Sequence, residues 1–316
     1  MLKRACLALV LLLVTSLVFG LDLSLPAFNP EFDEIEHYSG FSLKYSEEHE
    51  QAEWVAYQLT AEEVQGAADR TDNFRPDENI STRSAGLEDY KGSGYDRGHL
   101  APAADMKWSE QAMEESFLMS NMSPQHPQFN REIWKKLEHR VREWAEENGE
   151  VYVVTGPVLT DGPYPAIGPN DVSVPRRFYK IILDYREPGI KAIAFLLPNR
   201  RCDQPLSVYA LTIDQVESIT GIDFYPALPD VEEDALESTI DLRLWDPDGV
   251  YSPGNAAAGV MAESKPEINV QEEAILYWIN SNSMVRHNST CRYYGKTRSG
   301  YYTTEKEGRA CGLCGG

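Results

Sequence analysis

Between Tyr95 and Met106 the chain reads YDRGHLAPAADM, and this stretch holds His99, one of only six histidines. An imidazole, with an ordinary pKa of about 6.5, is the natural general base at neutral pH. Gly98 lets the backbone turn sharply or approach a partner closely. On their own, the four letters DRGH fit a solvated turn as well as an active site. A second group follows in SNMSPQHPQFNREIWKKLE, where Asn121, Gln125 and Asn130 are amides and Glu138 is an acid. An amide carbonyl is a neutral oxygen ligand suited to a hard cation such as Mg2+, which keeps most of its water shell. Asn130 and Glu138 are eight residues apart, a little over two helical turns, so they point to roughly the same side. Without His99 upstream, Asn130 would read simply as a helix N-cap.

These side chains need a scaffold, and the apolar pattern predicts one. EWVAYQLT (Glu53 to Thr60) is rich in strand formers. Arg70 to Gly94 is polar, with Pro, Gly, Asp and Asn scattered through it, and reads as a long surface loop. Trp108 to Phe117 predicts a short helix capped by Ser109. From Asn130, the residues Ile133, Trp134, Leu137, Val141, Trp144 and Ala145 recur at helical spacing up to Gly149. VYVVTGPVL (Val151 to Leu159), RRFYKIILDY (Arg176 to Tyr185) and KAIAFLLPN (Lys191 to Asn199) predict strands, and TIDQVESITG (Thr212 to Gly221) a short helix. This irregular mixture predicts an α+β fold.

Residues from about 50 to 229 resemble the DNA/RNA non-specific endonuclease family, the secreted bacterial nucleases and the endonuclease G type. The resemblance is carried by an ordered set of strings: WVAYQLT, Arg70-x-x-x-Phe74, DRGHLAP, SNMSPQ, FN-x-x-x-W-x-x-LE, VYVVTGPV and VPRRFYKIIL. It implies a ββα-metal fold with a central antiparallel sheet flanked by helices. It also implies hydrolysis of DNA and RNA phosphodiester bonds with little sequence specificity, leaving 5′-phosphate ends. His99 falls at the family's general base. Asn130 falls at its single protein ligand to hydrated Mg2+, which Mn2+ can replace. Glu138 falls at the acid that holds a metal-bound water, and Arg70 at the arginine that steadies the scissile phosphate. Asn121 falls at the asparagine that orients His99 or supports the core of the site. Asp96 and Arg97 belong to the signature, as structural or phosphate-facing groups.

Charge pulls the other way. The formal net charge is −21, without the basic footprint of most nucleic-acid binders. Basic residues do gather around the motifs: Arg70, Arg97, Lys107, Arg131, Lys135, Lys136, Arg176 and Arg177. Much of the acid lies elsewhere, at 31–50, 61–79 and 230–241. A local basic groove on an acidic body predicts strong inhibition by salt. The competing readings are an exported nucleic-acid or surface binding protein on an inactive nuclease-like scaffold, and a phosphodiesterase with a small-molecule substrate. Monomer and homodimer are both open.

The two ends read separately. Lys3 and Arg4 precede an apolar run to Phe19, a signal-peptide pattern over residues 1–20 that predicts a secreted or periplasmic protein without stable membrane association. A membrane anchor is the alternative, since the run approaches the length of a span. Residues 21–49 read as an N-terminal extension, 50–229 as the nuclease domain, 230–270 as an acidic linker and 271–316 as a small module. In that module His287, Cys291, Cys311 and Cys314 form H-x3-C-x19-C-x2-C, a tetrahedral Zn2+ set. Export leaves a disulfide open as the other reading.

Overall fold

Alternation along a strand sends Val55, Tyr57 and Leu59 to one face and Trp54 and Ala56 to the other, so both faces of this segment need a cover. The computed structural model describes residues 23–250 apart from 24, 34 and 188, and residues 277–311 apart from 281–282, 289–290, 292–299 and 304–307. The expected leader at 1–20, residues 251–270 of the expected linker and Cys314 lie outside the described residues.

In chain order, β1 (Ile35–His37), β2 (Ser42–Ser46) and β3 (Gln51–Thr60) form a meander, followed by the single turns α1 (Ala61–Val64) and α2 (Leu87–Tyr90). β4 (Asp96–His99), α3 (Glu110–Glu115) and β5 (Met122–Gln125) lead through a π-helical turn at Phe129–Trp134 into α4 (Lys135–Asn148). Next come β6 (Glu150–Pro157), the small hairpin β7 (Ala166–Ile167) and β8 (Val172–Ser173), β9 (Arg177–Asp184), β10 (Lys191–Pro198) and β11 (Ala210–Leu211). α5 (Ile213–Thr220), α6 (Asp230–Glu237) and α7 (Leu242–Trp245) follow. A seven-stranded antiparallel sheet runs β1-β2-β3-β6-β9-β10-β11. β12 (Tyr277–Asn280), β13 (Val285–His287), β14 (Gly300–Thr303) and β15 (Arg309–Ala310) make a separate sheet of four, ordered β14-β12-β13-β15.

The sheet carries a core on each face. Leu137, Val141 and Trp144 of α4 pack with Val55, Tyr57, Val153, Phe178 and Ile182 on one side. Ile213, Val216 and Ile219 of α5 pack with Trp54, Ala56, Tyr179 and Ile181 on the other. Ser109 caps α3, its Oγ accepting from the Ala112 N–H at 3.3 Å, and Gly149 stops α4 at φ 87°.

Two expected boundaries change. Residues 21–49 are not a bare extension, because β1 and β2 are strands of the main sheet. Their polar composition hid this: β2 is an SLKYS segment that buries mainly Leu43 and Ser46. Residues 230–250 are not linker either. α6 packs on the second core through Leu236, and Trp245 at the end of α7 is buried in the first. Trp245 donates from Nε1 to the Ala192 carbonyl at 3.1 Å and crosses the Trp144 ring at a centroid distance of 4.9 Å. Trp245→Ala is expected to cost about 3–5 kcal/mol of stability, read as a lower urea midpoint with the slope retained. A change within error would mean the segment merely drapes over the domain.

Candidate active site

β4 and β5 pair antiparallel outside the main sheet, placing Gly98 opposite Ser123 and His99 opposite Met122. With the helix that follows, they form a ββα unit. DRGH is therefore a strand, not a turn. Gly98 is required by closeness: a Cβ there would lie 2.1 Å from Cδ of the buried Gln125. Among the described residues the Asn121 side chain bonds to backbone rather than to His99. Its Oδ1 accepts from the Ala101 N–H, and its Nδ2 donates to the carbonyls of Ala101 and Ser116, each at 2.9 Å. These bonds hold the backbone just after His99.

His99 stands edge-on to Phe117 and Phe74, with ring centroids 5.1 and 5.7 Å away. Arg70 lies over the Phe117 ring at 4.8 Å, and Arg97 over the Phe74 ring at 4.1 Å. The two guanidiniums thus flank the imidazole through its aromatic neighbours, a box that the sequence showed only as scattered letters. Burial first, then Arg70 and Arg97, hold the imidazole down at about 3 against the opposing pull of Asp72. Nε2 is buried without a hydrogen-bond partner among the described residues. A neutral imidazole is the base-competent form.

Asn130 lies in the π-helical turn rather than at an N-cap. Such wide turns recur where a helix serves a site. Its Nδ2 donates to Asp96 Oδ2 at 3.0 Å, so Oδ1 is the atom left to face outward. Asp96 also takes a forked pair from Arg131, at 2.8 and 2.6 Å. Burial raises the Asp96 pKa, but these hydrogen bonds outweigh it and keep the carboxylate ionised. Asp96 thereby orients the Asn130 amide, a sharper role than the sequence supplied.

Glu138 shares a cavity of about 320 Å³ with Arg70, Arg97, His99, Asn130, Arg131, Lys135 and Arg142. The eight-residue spacing does bring Asn130 and Glu138 together. Beneath Glu138 is a charged layer that sequence reasoning missed. Lys180 of β9 is fully buried, with Nζ 4.8 Å from the Trp134 ring centre and no hydrogen-bond partner among the described residues. Arg142 pairs with buried Asp105 at 2.7 Å, and the Tyr57 hydroxyl donates to Asp105 at 2.8 Å. Burial pushes Glu138 up and Lys180 down, and each charge moderates the other's shift. The signal for Lys180 was its place in RFYKIILD, a charge inside an apolar strand on the face shared with Phe178 and Ile182.

Not every expected basic residue joins. Arg177 is bound to Asp161 at 2.7 Å, Arg176 to the carbonyls of Asp161 and Pro163, and Lys136 approaches Asp248 at 3.8 Å. None of these lines the cavity, and neither does Lys107.

In the small sheet, His287 Nδ1 lies 3.2 Å from Cys291 Sγ, and the sulfurs of Cys291 and Cys311 are 4.0 Å apart. The last distance is far beyond the ~2.05 Å of a disulfide bond. All three residues are buried, with ligand atoms within 4.8 Å of one another.

A ββα unit that turns a buried histidine, an oriented amide and an acid toward one basic cavity is the arrangement of a metal-assisted nuclease. The chain belongs to the DNA/RNA non-specific endonuclease family, whose pattern it matches over residues 23–231. It is similar to zebrafish (Danio rerio) mitochondrial nuclease EXOG, with 37% identity over 207 residues that cover 60% of each chain. It is 35% identical to human mitochondrial endonuclease G over 211 residues, covering 62% of this chain and 71% of that one. A chain of a solved EndoG/EndoGI complex, described as showing the mechanism of EndoG inhibition, is similar with a TM-score of 0.61 at 34% identity, covering 66% of this chain and 91% of that chain. The protein is thus a member of a family of metal-dependent nucleases. Among the described residues, no helix is long and apolar enough to cross a membrane.

Proposed function

We propose that the protein is an endonuclease that hydrolyses DNA and RNA with little sequence preference, using Mg2+, or Mn2+ in its place, and leaving 5′-phosphates. The observation that carries this reading is the convergence of His99, Asn130 and Glu138 on one cavity walled by arginines. The donor set fits the ion: a neutral amide oxygen aimed by Asp96 and a nearby carboxylate are hard oxygen ligands. When bound, Mg2+ supplies charge neutralisation at the phosphate. His99 takes the proton of the attacking water. Arg70 and Arg97 hold the phosphate through the backbone, so base and sugar identity matter little. Incubation of end-labelled DNA and RNA oligonucleotides with Mg2+ tests this reading. Fragments with 5′-phosphates from both are expected; cleavage of only small diesters, or 3′-phosphate products, would overturn it.

The depressed His99 pKa sets a pH dependence. A base already neutral at pH 6.5 loses nothing as the pH falls through that value, whereas burial raises the Glu138 carboxyl toward that range. With Glu138 replaced by Gln, the acidic limb of the residual kcat/KM is expected below pH 6.5, because that profile reports the free enzyme. A limb at or above 6.5 that persists in Glu138→Gln would show that His99 is not held neutral.

The terminal cluster belongs to this reading as a structural Zn2+ site of His287, Cys291 and Cys311, with Cys314 completing it by spacing. Sulfurs on a tetrahedral zinc at about 2.3 Å sit about 3.8 Å apart, close to the 4.0 Å between Cys291 and Cys311. One zinc per purified chain is expected, lost in Cys291→Ser/Cys311→Ser. A zinc-free wild type whose thiols resist a thiol reagent would favour a disulfide instead. Export through a leader at residues 1–20 is supported by its charge and apolar pattern. The secreted chain would then begin near residue 21 on N-terminal sequencing.

A further inference from the structure

On the face of the sheet opposite His99, three carboxylates meet without a counter-charge among the described residues. Asp214 and Glu217 are three apart on α5 and share a helix face. Glu237 reaches the same place from the last turn of α6. One oxygen from each lies within 4.8 Å of the other two. Glu237 is only 6% exposed, and its Oε1 is buried with no hydrogen-bond partner among the described residues. Glu217 is held in place, since its Oε1 accepts from the Phe224 N–H at 2.8 Å. Among the described residues, no lysine, arginine or histidine forms an ion pair with any of the three.

The apolar faces of the helices enforce this crowding. Val216 and Ile219 of α5 and Leu236 of α6 pack on one core, which draws the acids together. Burial and neighbouring carboxylates, Asp223 and Glu233 included, push Glu217 up to about 7 and Glu237 up to about 9. A buried acid in this position must either keep a proton or find a cation.

We propose that Asp214, Glu217 and Glu237 form a second divalent-cation site, for Ca2+, which pins α6 to α5. Ca2+ takes carboxylate oxygens at about 2.3–2.6 Å, so oxygens up to about 5 Å apart fit across one ion. Mg2+, at about 2.0–2.1 Å, would need the set to contract. Water completes the shell beside the exposed Asp214. The bound ion secures the segment leading to α7 and Trp245, so its effect is on stability rather than on the chemistry at His99.

The test uses the full chain carrying Asn130→Ala, which removes the active-site amide. Equilibrium dialysis with radioactive Ca2+ is expected to find one ion per chain, lost when Glu217→Gln and Glu237→Gln are added. Ca2+ at 100 times its Kd is expected to raise the melting midpoint of the Asn130→Ala chain by about 5 °C or more. The midpoint of the added-glutamine chain is expected to be higher than its parent's without Ca2+, because repulsion is gone, and not to respond to the ion. No bound Ca2+ in the parent, or equal binding in both, overturns the proposal. Should the glutamine chain fail to fold, Asp214→Asn at the exposed edge is expected to weaken Ca2+ binding at least tenfold; an unchanged Kd overturns the proposal equally.

Discussion

His99→Ala is expected to lower kcat on plasmid DNA by about 10²–10⁴-fold, the usual worth of a positioned general base. The fold should survive, because among the described residues the imidazole makes no hydrogen bond through Nε2 and its aromatic neighbours also pack on one another, Phe74 on Phe117 at 5.0 Å. Mg2+ dependence should be unchanged, since His99 is not the residue assigned to the ion. Loss of activity with a matching rise in the Mg2+ requirement would place His99 on the metal instead of on the water. The measurement is a kinetic titration of both proteins with Mg2+, accompanied by thermal unfolding.

Asn130→Ala should behave in the opposite way. Removing the one amide assigned to the ion is expected to cost at least about 100-fold in activity, partly recovered by raising Mg2+. Asp96→Asn probes the same function from behind. It takes away the carboxylate that receives Asn130 Nδ2 and the Arg131 fork. A partner that orients a ligand is typically worth about 10–100-fold in metal affinity. The expected result is a higher Mg2+ requirement with near-normal kcat at saturation. A fall in kcat that no amount of Mg2+ relieves would mean that Asp96 acts on the substrate or on the fold.

These two predictions divide along what the sequence could reveal. His99, Asn130 and Glu138 were legible because catalytic letters sit at fixed spacing within ordered motifs, and α4 had a clear apolar period. The long strands were legible for the same reason, through runs such as RFYKIILD and KAIAFLLP. The layer below the site was not. Lys180, Asp105, Arg142 and Tyr57 come from β9, a loop, α4 and β3, and only the folded sheet puts them under Glu138. The π-helical turn was also hidden, because an amide ahead of a helix looks like a cap until its partner, Asp96, is seen 34 positions away. β1, β2 and α7 escaped because each is short and mixed in polarity, and the sheet edge or a single tryptophan fixes it.

The acidic whole and the basic site coexist because the charges are segregated. Arg70, Arg97, Arg131, Lys135 and Arg142 line the cavity, whereas α6 carries DVEEDALE on the other side of the sheet. Binding to phosphates through so small a basic patch should weaken steeply with salt.

The central claim is that His99 and an Asn130-held divalent ion cleave nucleic acid at one cavity. Its most direct test is supercoiled plasmid incubated with the purified full chain in Mg2+, beside His99→Ala and Asn130→Ala at equal concentration. Nicked and then linear DNA from the wild type, abolished by EDTA and at least about 100-fold slower in both variants, is the predicted result. Intact plasmid with the wild type in both Mg2+ and Mn2+, or variants that cleave at its rate, would contradict the account.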